Sequence, residues 1–114
     1  MGPVDVPQPL DLTADHRGVS TVVSVAGEID LVTAPKLRAF LLEQLDQTHA
    51  VLMVEMSGVN HMGSAGLRTL LEVRAECDRR QVDLIFAECS FIVLRTFELS
   101  GLTRFFLRGE NATG

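Results

Sequence analysis

Ser64 is the residue whose setting most invites chemistry in this chain. It lies in Gly63-Ser64-Ala65-Gly66, after an apolar run, Val51-Leu52-Met53-Val54, and a polar connection, Ser57-Gly58-Val59-Asn60-His61. Beyond it Leu67, Leu70 and Leu71 return at helical spacing, which predicts a helix with Ser64 as its N-cap. A hydroxyl at such a junction, flanked by residues too small to cover it, is accessible to another protein. His61 nearby raises the alternative of a hydrolase with Ser64 as nucleophile. The nucleophile elbow needs glycines two before and two after the serine, and Met62 fills the first of those places. His16, His49 and His61 do not combine with Cys77 and Cys89 at zinc-like spacing. Gly63-Ser64-Ala65-Gly66 is too short for a P-loop and lacks its lysine. No catalytic residue, metal site or cofactor is therefore expected. From the residues alone two readings of Ser64 stand: a plain N-cap worth roughly 1 kcal/mol, or a switch hydroxyl.

The elements that must hold Ser64 in place can be read around it. Leu10-Asp11-Leu12-Thr13 alternates weakly and is expected as an edge strand. After the turn signal Asp15-His16-Arg17-Gly18, Val19-Ser20-Thr21-Val22-Val23-Ser24-Val25 is the clearest β stretch, so the two predict a hairpin. Glu28-Ile29-Asp30 follows Gly27, and Thr33-Ala34-Pro35 starts a helix with proline in its first turn. Leu37, Phe40, Leu41 and Leu45 share one face of that helix. Val51-Leu52-Met53-Val54 reads as a buried strand. Val82-Asp83-Leu84-Ile85-Phe86-Ala87 adds another, and Ser90 caps a helix bearing Val93, Leu94 and Phe97. Gly101 ends that helix, with Leu102 placed for the accompanying apolar contact. Phe105-Phe106-Leu107 is expected as a last short strand. The fold class is α/β: one domain over 10–108, a mixed sheet of about five strands, and helices mainly on one face. Residues 1–9, with Pro3, Pro7 and Pro9, are expected to be a flexible arm, and 109–114 a flexible tail.

Composition narrows the function classes. At 114 residues and 46% hydrophobic the chain can bury a core without metals or disulfides. A net charge of -5, few aromatics and no Trp or Tyr argue against nucleic-acid binding and against anionic membranes. No signal peptide or spanning segment is read, so a cytoplasmic protein is expected. Asn111-Ala112-Thr113 matches a glycosylation acceptor, which has no meaning in that compartment. Cys77 and Cys89 are read as reduced core residues, not as a redox pair.

Four motifs in order carry a resemblance over nearly the whole chain: Gly27-Glu28-Ile29-Asp30, Ser57-Gly58-Val59, Gly63-Ser64-Ala65-Gly66-Leu67 and Leu99-Ser100-Gly101-Leu102. Together they resemble the STAS domain of bacterial anti-sigma factor antagonists of the sporulation and stress-response type. The resemblance implies partner switching. The unphosphorylated antagonist binds an anti-sigma factor that is also a serine kinase, which frees a sigma factor. Phosphorylation of the serine matching Ser64 ends the complex, and a serine phosphatase restores it. The implied partner surface comprises Glu28, Asp30, Thr33, His61, Gly63, Ser64 and Ala65, on a monomer or weak dimer. Three positions depart from the usual pattern: Gly63 where an aspartate often stands, Glu55 in place of a strand-ending Asp, and His61 in place of an apolar residue. A scaffold or lipid-transport subunit without a sigma-factor kinase partner is the alternative that the same motifs allow.

Overall fold

The computed structural model describes residues 9–107. The expected arm, apart from Pro9, and the expected tail lie outside the described residues, as does residue 108.

Strand β1 (Asp11–Arg17) and strand β2 (Ser20–Ile29) form the expected hairpin, antiparallel and in register from Asp11↔Ala26 to Arg17↔Ser20. Gly18 and Val19 alone connect them, and Gly18 has φ +63°. A left-handed glycine at the first central position gives the chain a turn whose twist matches that of the strands it joins. Helix α1 (Ala34–Leu45) follows, then strand β3 (Val51–Met62), helix α2 (Ser64–Arg79), strand β4 (Asp83–Cys89), helix α3 (Phe91–Leu99) and the short helix α4 (Thr103–Leu107). The sheet order is β1-β2-β3-β4, with β3 parallel to both β2 and β4. Each parallel pair is linked through one helix, as parallel strands require.

Burial along β2 alternates strictly: Thr21, Val23, Val25 and Ile29 are buried while Val22, Ser24 and Glu28 are half-exposed. Leu52, Val54 and Met56 of β3 and Phe86 of β4 continue that inner face. Leu37, Leu41 and Leu45 of α1, Leu70, Val73 and Cys77 of α2, and Val93 and Phe97 of α3 close the core over it. Helices thus cover one face, as expected of a half-buried alternating sheet.

Three sequence-based expectations are corrected. The sheet has four strands among the described residues, not about five, because Thr103–Leu107 is helical. Its Phe106 is buried, stacking on Phe97 at 4.6 Å and meeting Phe86 edge-on at 5.5 Å. A single turn is enough to seat one ring in the core, and no free sheet edge is needed. Second, β3 does not stop at Val54 but runs to Met62, so Ser57-Gly58-Val59-Asn60-His61 is strand and not loop. Register shifts between Ser24 and Ala26 and between Gly27 and Glu28 absorb extra residues on β3. Such bulges bend a strand without ending its pairing. Third, Gly63 and not Ser64 is the N-cap of α2.

Helix ends are closed as their residues dictate. Gly101 donates to Glu98 and Leu102 to the Phe97 carbonyl at 2.8 Å, the paired bonds of a Schellman motif. The same pattern ends α2, where Gln81 takes φ 60° and Val82 donates to the Cys77 carbonyl. Ser90 caps α3 through its side chain, which accepts from the Val93 N–H.

Candidate functional site

The bulged end of β3 determines what stands beside what. His61 lies opposite Glu28 and Met62 opposite Ile29, and the Gly63 N–H donates to the Ile29 carbonyl at 3.0 Å. The exit from β2 and the entry to α2 are therefore side by side. All seven residues expected at the partner surface gather at this one end of the sheet.

Helix α2 starts one residue earlier than the sequence implies. Gly63, extended at φ −95° and ψ −172°, is the N-cap, and Ser64 is the first helical residue. The Gly63 carbonyl accepts from Gly66 at 3.1 Å and Leu67 at 3.3 Å. The expectation that Ser64 caps the helix is thus corrected: no side-chain capping bond forms. Among the described residues its hydroxyl has no hydrogen-bond partner in the protein, and Ser64 is exposed. Gly63 can cap because its extended backbone needs no side chain, which leaves the serine oxygen unengaged.

Gly66 explains how the first turn of α2 comes so close. A Cβ there would lie 2.6 Å from Ile29 Cγ2 and 2.9 Å from Met62 Cγ. Only glycine lets the helix start rest directly on the ends of β2 and β3.

Across from Ser64 stands the turn between β2 and α1, and its polar residues are occupied in holding it. Asp30 Oδ1 accepts from the Val32 N–H and the Thr33 N–H, both at 2.9 Å. Thr33 Oγ1 accepts from the Asp30 N–H at 2.9 Å and donates to the Glu28 carbonyl at 2.8 Å. The backbone bond from Thr33 holds the Asp30 carboxyl below its usual value; the Thr33 hydroxyl, the Val32 N–H and the His61 charge act in the same direction. This turn presents Leu31 and Val32 to solvent at 80% and 82% exposure. Neither was singled out in the sequence. Two adjacent large aliphatic residues inside an Asp-x-x-Thr turn, where polar residues are usual, were the available signal.

Between the turn and α2 lies an open cleft of about 290 Å³, lined by Leu31, Ala34, Pro35, Arg38, Ser64, Ala65, Arg68, Thr69 and Glu72. Arg38 spans from α1 to Glu72 of α2 at 2.9 Å. Among the described residues no group of three or more His, Cys, Asp or Glu could hold a metal ion, and no helix is long and apolar enough to cross a membrane. Burial pushes the Cys77 and Cys89 thiols up to about 11, and both are unbridged.

The family model of the STAS domain matches residues 11–113. This chain belongs to the STAS family. Among relatives of this STAS domain, the anti-sigma-F factor antagonist RsfB of Mycobacterium tuberculosis is 33% identical over 93 residues, 82% of this chain and 75% of the relative. An anti-sigma-B factor antagonist of Listeria monocytogenes is 33% identical over 81 residues, 71% of each chain. The crystal structure of an anti-sigma factor antagonist from Mycobacterium paratuberculosis superimposes with a TM-score of 0.79 at 26% identity, covering 90% of this chain and 87% of that one.

Proposed function

We propose that this STAS domain is an anti-sigma factor antagonist that binds an anti-sigma factor with serine-kinase activity and is released by phosphorylation of Ser64. The observation that carries the reading is the exposed hydroxyl of Ser64, without a partner among the described residues, set across a cleft from Leu31, whose neighbour Val32 is equally bare. Curated relatives that share a third of their residues with this chain are antagonists of anti-sigma factors.

The parts divide the work in a way the geometry favours. Large aliphatic side chains held out by a rigid turn supply desolvation energy to a partner at little entropic cost. Asp30 and Thr33 keep the turn in shape; Glu28, His61, Gly63 and Ala65 form its polar and small-residue surround. Ser64 accepts a phosphoryl group from ATP held by the partner, and the catalytic groups belong to that kinase. A phosphate here meets the free N–H groups and positive dipole end of α2, so the domain keeps its fold while the surface changes by about −1.5 to −2 charges. A serine phosphatase restores the binding form. No direct contact with nucleic acid is part of this cycle, which runs in the cytoplasm.

Affinity capture with the unmodified protein, read by mass spectrometry, tests the reading. Recovery of a kinase-type anti-sigma factor that phosphorylates Ser64 in the presence of ATP is the expected result. Phosphate found solely on another residue refutes the assignment. Recovery of transport or scaffold proteins alone points to the alternative.

A further inference from the structure

The cleft between α1 and α2 holds an arginine that none of the described residues around it engages. Arg38 and Arg68 line it together with one carboxylate, Glu72. Arg38 is already engaged with Glu72, 2.9 Å away. Arg68 is exposed and, among the described residues, has no ion pair or side-chain hydrogen bond. Ser64, Arg68 and Glu72 follow one another at intervals of four along α2 and so form one stripe on the cleft side of the helix. In a chain of net charge -5, an unspent guanidinium one turn beyond an unbonded serine runs against the general trend.

We propose that this cleft receives a phosphate carried by Ser64 and that Arg68 is its counter-charge within the same helix. The inference rests on Ser64 as the modified residue and adds where the group lies and what holds it. An acidic group four residues before a basic one is the favourable order on a helix, because each charge also complements the dipole. The guanidinium fork matches phosphate oxygens and bonds them more strongly than neutral donors do. Arg38 stands on the opposite wall, and its pair with Glu72 is solvent-exposed on both sides, about half of each side chain, so it competes weakly for that arginine. The other charged or titratable groups at this end include Glu72 on α2, Glu28 near the end of β2, Asp30 in the turn and His61 on β3. Asp30 is held by Val32 and Thr33, and Glu72 by Arg38. Phosphorylation then acts by filling the cleft and withdrawing Arg68 from the partner, more than by displaying a bare charge. A carboxylate at position 64 reproduces this only in part, bringing one charge and two oxygens where the phosphate brings about −1.5 to −2 and three.

The test installs phosphoserine at position 64 during translation, so that no kinase is required, and follows the phosphorus resonance against pH. A His61→Gln background removes the titrating imidazole. The second phosphate ionisation, ordinarily near pH 6, is expected to move up by about 0.3 unit or more on Arg68→Gln. Arg68→Lys should give an intermediate value. Identical titrations for the parent and Arg68→Gln, with both folded by circular dichroism, overturn the proposal. That outcome leaves Ser64 phosphorylation untouched. A kinase that ignores Ser64 sinks the functional reading instead, and the titration still decides the pairing.

Discussion

Gly66→Ala is the substitution that most sharply tests how α2 is seated beside β2. Two effects oppose each other. Alanine in place of glycine favours a helix by up to about 1 kcal/mol, and by less in the first turn, where residue 66 stands. Against this, the new methyl would lie 2.6 Å from Ile29 Cγ2 and 2.9 Å from Met62 Cγ, atoms that belong to fully or nearly fully buried side chains. Ile29 branches at Cβ and cannot swing its Cγ2 away without leaving its rotamer. Overpacking of this kind costs roughly 1–3 kcal/mol. The net expectation is a loss of about 1–2 kcal/mol, or roughly 4–16 °C in Tm for a domain of this size. Urea and thermal unfolding measure it directly. Gly63→Asp is the matched control, since a Cβ there meets only His61 Nε2 at 3.9 Å and the backbone is already extended. Aspartate is also a better N-cap than glycine, so Gly63→Asp should gain a few tenths of a kcal/mol. Stabilisation by Gly66→Ala would refute the close seating of the helix.

Other outcomes follow from the same geometry. Leu31→Ser and Val32→Ser should each weaken capture of the anti-sigma factor by about tenfold or more, as hot-spot truncations do, with Tm little changed because both are largely exposed in the free protein. Asp30 has a lowered folded pKa, so its contribution to stability is complete above the unfolded value of about 3.9 and disappears as pH falls through the folded one. The stability difference between the parent and Asp30→Asn, from urea midpoints, should therefore be constant at neutral pH and shrink at acid pH; a constant difference down to acid unfolding would contradict the turn as described. Cys77 and Cys89, with thiols raised to about 11, should resist iodoacetamide at pH 7.5 until the protein is unfolded.

Much of this arrangement was legible because local chemistry and tertiary context agree. The alternation of Val19 to Val25, the Thr33-Ala34-Pro35 helix start and the Gly101-Leu102 ending each contain their own cause. The junction carrying Ser64 was legible for the same reason, apart from its register by one residue. Serine and glycine both serve at an N-cap, and only the bond from Gly63 to Ile29 decides between them. The outer half of β3 was hidden because Ser57, Gly58, Asn60 and His61 have poor strand propensity. Pairing with β2 through two bulges overrides it. Phe105-Phe106-Leu107 shows the converse, a run too short for periodicity, whose conformation follows from where Phe106 must go. Leu31 and Val32 escaped notice because exposure of an aliphatic residue is a property of the folded turn, invisible until Asp30 and Thr33 are seen to hold it.

The most direct measurement is the affinity of the purified protein for the captured anti-sigma factor before and after incubation with ATP, by isothermal titration, with Ser64→Ala alongside. Binding of the parent should fall by about tenfold or more after ATP treatment, while Ser64→Ala binds equally before and after. Unchanged affinity of a fully phosphorylated parent, or an equal loss in Ser64→Ala, would contradict a switch at Ser64.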